Sequence, residues 1–269
     1  MKESVFMAKV FDPQLVLRDI PKLLAYLPET LLITVISLVI GLILGLGIAM
    51  VKIHRVPVID RLLAIFVSFT RGTPILVQLY VTYYGIPIVL QYINHYWGTH
   101  FNVNNVPGLL FVLVTFALNE AAYNSENIRG ALQAVDAGEI EAATALGETQ
   151  WQILRRIIVP EAFVIALPTL GNALISLMKN TSLAFVVSVV EMTARGQIIA
   201  GNDYRYFEVY LALAIIYWGL TIITEQLIRL VEKRITRFQQ QQVPQPAKKL
   251  RFNLLKRPAS IVKRGETLD

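Results

Sequence analysis

Two carboxylates stand where carboxylates are costly. Glu120 and Glu126 interrupt the apolar run that begins at Val106. A charge inside a membrane-length helix needs a cavity, a partner or a substrate to meet it. Six residues apart, the two differ by about 240° around an α-helix, so one face cannot hold both. Each therefore needs its own environment. Glu126 lies close to Arg129 and suits a structural salt bridge near a membrane surface. Glu120 lies deeper, beside Asn119 and Tyr123. Two roles stand open for it: acceptor for the ammonium of a substrate, or partner in a structural hydrogen bond. A second polar group, Lys179, Asn180, Thr181 and Ser182, ends another apolar run. It suits an outer gate, a carboxylate contact or a plain polar helix terminus.

Covalent chemistry lacks its residues. There is no cysteine, hence no disulfide, thiolate ligand or thiol nucleophile. No G-x-x-x-x-G-K-[ST] occurs, so the chain has no P-loop for ATP. His54, His95 and His100 lack the spacing of metal ligands, and neither G-x-S-x-G nor H-E-x-x-H is present. The chain reads as a non-enzyme that binds no metal or cofactor of its own.

The elements that must position these residues are membrane helices. Hydrophobic residues make up 55% of 269 and charged ones 16%, with mean hydropathy +0.53. Leu31–Val51 is twenty-one residues without a charge, enough to cross a hydrocarbon core of about 30 Å. Further runs lie at Leu62–Leu90, Val106–Leu118 continuing past Glu120, Val159–Met178 and Val209–Thr224. The expected fold is all-α with five transmembrane helices. The glycines of GLILGLG, 41–47, suit close helix packing rather than phosphate binding. Gly72-Thr73-Pro74 breaks the second run, because proline lacks an N–H and disfavours helix at the residue before it. Either this is a broken helix along a substrate path, or a loop between an interfacial helix, Val58–Thr70, and the true second span.

Five spans put the termini on opposite sides. Gln91–Asn105 carries no Lys or Arg, whereas the tail from Arg229 onward is rich in both. The positive-inside rule then places the tail in the cytoplasm and the N-terminus outside, although Lys2, Lys9, Arg18 and Lys22 pull mildly the other way. The net charge of +6 mostly reflects that tail, so the basic partner is the inner membrane lipid and not a nucleic acid. Residues 1–27 are expected to form an extracytoplasmic segment whose Leu15, Leu17, Ile20, Leu23 and Leu24 make an amphipathic face. Residues 236–269 are expected to be a mobile cytoplasmic tail.

The same rule puts Arg129–Pro160 inside. That insert contains EAATALGETQWQILRRIIVP, 141–160. Ala142, Ala145 and Leu146 share one face of a short helix, Gly147 permits a bend, and Trp151, Leu154 and Ile158 recur at helical spacing. Two short helices joined at a glycine make a knob, and an apolar face outside the bilayer suits a partner's groove, with part of the stripe packed onto the chain's own helix ends. Glu141 suits a charged contact or a cap.

Glu141-Ala142-Ala143, then Gly147, then Ile157-x-Val159-Pro160 resembles the EAA loop of ABC-importer permeases, with Val159 where the family often has Leu. RGTPILVQL (71–79), AAYNSENIRGAL (121–132) and KNTSLAFVVSVVEM (179–192) resemble segments of the polar amino acid permeases within that group, with Asn127 departing from the usual apolar residue. The resemblance covers roughly 28–235. It implies a type-1 permease domain over 28–235 with a coupling loop at 136–160. It also implies a dimer with a second permease subunit, identical or not, a separate ATPase that binds ATP and Mg, and an extracytoplasmic substrate-binding protein. It makes Glu141, Ala142, Ala143, Gly147, Trp151 and Leu154 the ATPase contacts. It adds Thr73 and Gln78 to Glu120, Tyr123, Glu126, Asn180, Thr181 and Ser182 as pathway candidates. The expected task is uptake of a polar amino acid, cystine or a similar one, across a prokaryotic plasma membrane by ATP-driven alternating access. An ion-coupled secondary transporter is the rival reading, but it would need more spans or an internal repeat.

Overall fold

A computed structural model describes residues 11–103 and 105–242, with side chains to 235. The expected basic tail lies outside the described residues, apart from helical backbone up to Gln242. The described residues form helices and connections with no strand. In chain order the helices are α1 (Pro13–Leu24), α2 (Leu27–His54), α3 (Ile59–Gly72), α4 (Ile75–Trp97), α5 (Gly108–Gln133), α6 (Ala137–Ala145), α7 (Gln150–Ile153), α8 (Val159–Asn180), α9 (Met192–Asp203) and α10 (Tyr206–Gln242). A π-helical turn, Leu154–Ile158, joins α7 to α8, and a 3-10 turn, Thr181–Val187, follows α8.

Four stretches are long and apolar enough to cross a bilayer: α2, α4, the run from Gln150 to Val187, and α10 from Tyr206 to Ile235. Helix α5 has 26 residues, which at about 1.5 Å each matches the length of a span though not its apolar composition. Its C-terminal half is polar, and Asn119, Glu120, Asn124 and Ser125 are turned inward and buried. It is the central helix, packed against α2, α3, α4 and α8.

Helix α2 approaches α5 through two glycines one turn apart. A Cβ on Gly41 would stand 2.5 Å from Cβ of Glu120, and one on Gly45 would stand 3.1 Å from the carbonyl oxygen of Ala121. Gly47 faces open space. Small residues at this spacing let helix backbones come together, which is how helices gain dispersion contact in lipid. Gly41→Val is therefore expected to cost about 1–3 kcal/mol, lowering the melting temperature in detergent by roughly 3–10 °C. Gly47→Val leaves it unchanged within about 2 °C. Equal melting temperatures would refute the close-packing role.

The broken second run is two helices. Thr73 is extended (φ −117°, ψ 144°) and α4 starts after Pro74. With 14 residues, α3 is about 21 Å long, too short to span. The break leaves carbonyls without helical partners, and Gln78 takes them up. Its Nε2 donates to the carbonyls of Thr70 (2.7 Å) and Thr73 (2.9 Å).

The N-terminal segment differs from its expected face. Val16, Asp19 and Leu23 are the buried residues of α1, whereas Leu17 is 70% exposed and Leu24 is also exposed. The buried face packs on α9 and α10 through Met192, Ile199, Val209 and Leu213. A leucine count missed Asp19 because its charge is met locally by Arg18 (3.0 Å) and Lys22 (2.9 Å). Burial pushes its carboxyl pKa up, but those hydrogen bonds outweigh it and hold the group below the usual range. Arg18 also reaches Asp203 at 2.6 Å, tying α1 to the end of α9. Glu191 caps α9 by accepting from the Ala194 amide at 2.9 Å. Thr30 and Tyr217 reach the same carboxylate at 3.4 Å each, so α2, α9 and α10 meet there.

Candidate functional site

A cavity of about 460 Å³ opens between α5, α8 and the break after α3. Its walls come from Thr73, Pro74 and Ile75 at the break, from Asn119, Glu120, Tyr123 and Asn127 on α5, and from Thr169, Asn172, Ala173, Ser176 and Asn180 on α8. The α8 residues recur every three or four positions, so one face of an otherwise apolar helix is polar. Asn172 and Ser176 are exposed on it. In a membrane-spanning bundle such a face needs water, substrate or a polar partner against it.

Glu120 is 6% exposed. One carboxylate oxygen accepts from Asn124 Nδ2 at 2.8 Å, one turn along. Its Cβ lies against α2 at Gly41, and the residue lines the cavity. Asn119 is held by its own partner, donating from Nδ2 to Gln78 Oε1 at 3.0 Å. Gln78 thus supports the wall from behind: it locks the break to α5 and does not line the cavity. Thr73 donates its hydroxyl hydrogen bond to the carbonyl of Phe69, at 2.9 Å.

The remaining candidates are placed elsewhere. Glu126 pairs with Lys52 on α2 and with Arg129 (2.7 Å) and faces a second cavity. This is the salt bridge its position suggested, and it separates Glu126 from Glu120 as the helical angle requires. Thr181 is fully buried and donates to the carbonyl of Met178 at 2.7 Å. Ser182 is half-buried in the 3-10 turn. Among the Lys179–Ser182 group only Asn180 reaches the cavity. The sequence reading did not use Thr169, Asn172 and Ser176. Their three-and-four spacing with Asn180 was the signal available.

The knob is built as two helices and an elbow. Asp136 caps α6 by accepting from the Gly138 amide at 2.8 Å, so Glu141 is not a cap; it is exposed. Gly147 has φ +83°, and open space lies where a Cβ would be. Its role is backbone conformation, not close approach. Thr149 and Gln152 form a capping box at the start of α7, and Glu148 pairs with Arg156 at 3.1 Å across the elbow. Ala143 and Ile153 are buried, while Ala131, Val135, Ala162 and Ala166 form the base with Ile140, Ile157 and Ile158 against them. The stripe Trp151–Leu154–Ile158 is divided, and part of it packs onto the chain's own helix ends as expected. Trp151 is 68% exposed, but Leu154 is half-buried and Ile158 packs on the base. The π-helical turn explains this, because its wider turn shifts the phase of the side chains after Ile153. Leu146, 85% exposed, joins Trp151 on the outer surface, with Glu141 and Ala142 nearby in sequence.

Comparison with known proteins places this architecture. Residues 31–237 match the family model described as binding-protein-dependent transport system inner membrane component. The chain is 39% identical to the L-cystine transport system permease protein TcyL of Bacillus subtilis (strain 168) over 233 residues, covering 87% of this chain and 95% of that one. It is 38% identical to the probable amino-acid permease protein YxeN of the same organism over 226 residues, 84% and 96% of the two chains. A crystal structure of an amino acid ABC transporter superposes with a TM-score of 0.71 at 33% identity, over 83% of this chain and 99% of that one. With a polar cavity in a helical membrane bundle and four such matches, the chain belongs to the inner membrane components of binding-protein-dependent transport systems, among the permease subunits of amino-acid ABC importers.

Proposed function

We propose that the chain crosses the membrane five times, with α5 as the fifth span, the N-terminus outside and the knob and C-terminus in the cytoplasm. It works beside a second permease subunit in the plasma membrane of a prokaryote. The polar wall formed by Glu120, Asn119, Asn172 and Ser176 is the observation that carries the reading. It sits in an apolar bundle on a surface left open, and a carboxylate there gives an ammonium its acceptor. The two permease subunits close the passage around it. The cargo is a polar amino acid, and the similarity to the L-cystine permease TcyL supports cystine or a close analogue.

Residues 28–235 are the permease domain, and 136–160 its coupling loop. A separate ATPase binds ATP and Mg and seats the knob through Glu141, Ala142, Leu146 and Trp151, while Ala143, Gly147 and Leu154 hold the knob's shape. An extracytoplasmic binding protein delivers the cargo. ATP-driven closure of the ATPases moves the knobs, and the cavity alternates between outward and inward access.

Substrate-stimulated ATP hydrolysis by the reconstituted importer, run over a panel of amino acids, tests the assignment. Cystine and its closest analogues are expected to stimulate most. Stimulation by none of the panel would overturn the amino-acid reading. Cysteines introduced at His100 and Ala145, both exposed, test the topology: an impermeant label is expected to reach the first only from outside and the second only from the cytoplasm. Reaction of both from one side would refute it.

A further inference from the structure

A second cavity, of about 560 Å³, lies between α2, α3 and α5, lined among others by Lys52, Ser68, Arg71, Gly72, Tyr123 and Glu126. Two cations there face one carboxylate. Glu126 is already shared between Lys52 and Arg129. Arg71 differs. Its guanidinium lies 5.4 Å from the centre of the Tyr123 ring, and the Tyr123 hydroxyl donates to the Arg71 carbonyl at 3.5 Å. No carboxylate pairs with it among the described residues. Five N–H donors thus sit at the exposed edge of the cavity, beside the Tyr123 ring and with no carboxylate partner among the described residues.

The surroundings are those of a membrane surface. Lys52 is two residues from the end of α2, and Glu126 lies two turns from the end of α5. Arg71 and Ser68 are on the last turns of α3. The same helix turns Ile59, Leu62, Ile65 and Phe69 outward, all exposed and spaced along one face. A cationic hollow therefore adjoins an apolar strip about three turns long. Basic pockets between helices on the cytoplasmic side are where acidic lipid head groups bind.

We propose that this cavity holds the phosphate of an anionic phospholipid of the inner leaflet. Arg71 and Ser68 take the phosphate oxygens, Lys52 adds charge at the rim, and the acyl chains lie along Leu62, Ile65 and Phe69. Lipid bound here braces α3 against α5 on the far side of Tyr123 from the transport cavity. The site rests on the cytoplasmic placement of the α2–α3 corner but not on the identity of the cargo.

The test uses the purified full chain in neutral detergent, without ATPase or amino acid, so its outcome is separate from that of the transport assays. Binding of dioleoylphosphatidylglycerol, dioleoylphosphatidylcholine and inorganic phosphate is read by native mass spectrometry and thermal shift. Phosphatidylglycerol is expected to bind and stabilise, and phosphatidylcholine to bind at least about tenfold more weakly. Arg71→Gln weakens phosphatidylglycerol about tenfold, whereas Arg61→Gln, which removes the same charge from the same helix at an equally exposed position outside the cavity, leaves it unchanged. Ser68→Phe fills the hollow without altering charge and also blocks binding, which covers the case in which Arg71→Gln does not fold. Equal binding of the two lipids overturns the proposal, as does equal loss in Arg61→Gln and Arg71→Gln. Inorganic phosphate that binds as tightly as the lipid also overturns it, by making the site one for a free anion.

Discussion

Gly147→Pro and Glu141→Arg are each expected to abolish transport while leaving the chain inserted and folded. The first acts through backbone geometry. Gly147 sits at φ +83° and its amide donates to the carbonyl of Thr144 at 3.0 Å. Proline fixes φ near −65° and has no N–H, so the elbow between α6 and α7 cannot form. The second acts through the surface. Glu141 is exposed and no side-chain hydrogen bond or ion pair ties it to another of the described residues, so reversing its charge spares the fold and alters only what the knob meets. Trp151→Ala adds a graded case. An exposed tryptophan that becomes an interface anchor is worth about 2 kcal/mol or more, so ATPase affinity falls roughly 30-fold. Co-purification of the ATPase, uptake into proteoliposomes and melting temperature in detergent read the three outcomes. Normal uptake with a normal ATPase complex in either of the first two variants would show that the knob is not the coupling element. A collapsed melting temperature in Glu141→Arg would show that the residue belongs to the fold.

Much of this arrangement was legible in the chain because membrane helices carry strong local signals. Apolar runs of spanning length located α2, α4, α8 and α10, and Pro74 located the break between α3 and α4. The glycines of 41–47 pointed to close packing, which Gly41 and Gly45 make and Gly47, facing open space, does not. What remained hidden depends on neighbours remote in sequence. Nothing local says that Gln78 turns back to two carbonyls of the broken helix and across to Asn119. Thr181 and Asn180 are adjacent and equally polar, yet one is buried on its own backbone and the other meets the cavity, a difference set by helix phase at the end of α8. Which part of the knob's stripe turns inward was hidden for a related reason: a single π-helical turn changes phase, so a period of 3.6 applied through it does not separate Trp151 from Leu154 and Ile158. On α1, counting leucines overlooked a buried aspartate whose partners are its own neighbours.

Glu120→Gln is expected to separate substrate handling from folding. The carboxylate is nearly buried, and its neighbour Asn124 donates to it at 2.8 Å. Glutamine has the same length and keeps an oxygen for that bond, so the packing against Gly41 and the local hydrogen bond survive. What disappears is the charge on the cavity side. If the cargo's ammonium meets that charge where water is scarce, the loss is that of a charge-assisted hydrogen bond, about 1.5–3 kcal/mol, or roughly 10–100-fold in apparent affinity. Amino acid uptake falls by that factor, substrate-stimulated ATP hydrolysis falls with it, and basal hydrolysis and melting temperature stay near their original values. Glu126→Gln is the contrasting variant. It breaks a pairing with Lys52 and Arg129 that lies away from the cavity, so its effect is on stability and not on selectivity. If Glu120→Gln unfolds in detergent instead, the carboxylate is a structural partner of Asn124. If it transports with unaltered rate and selectivity, Glu120 has no part in the pathway, and recognition passes to Thr73 and the polar face of α8 at Asn172, Ser176 and Asn180.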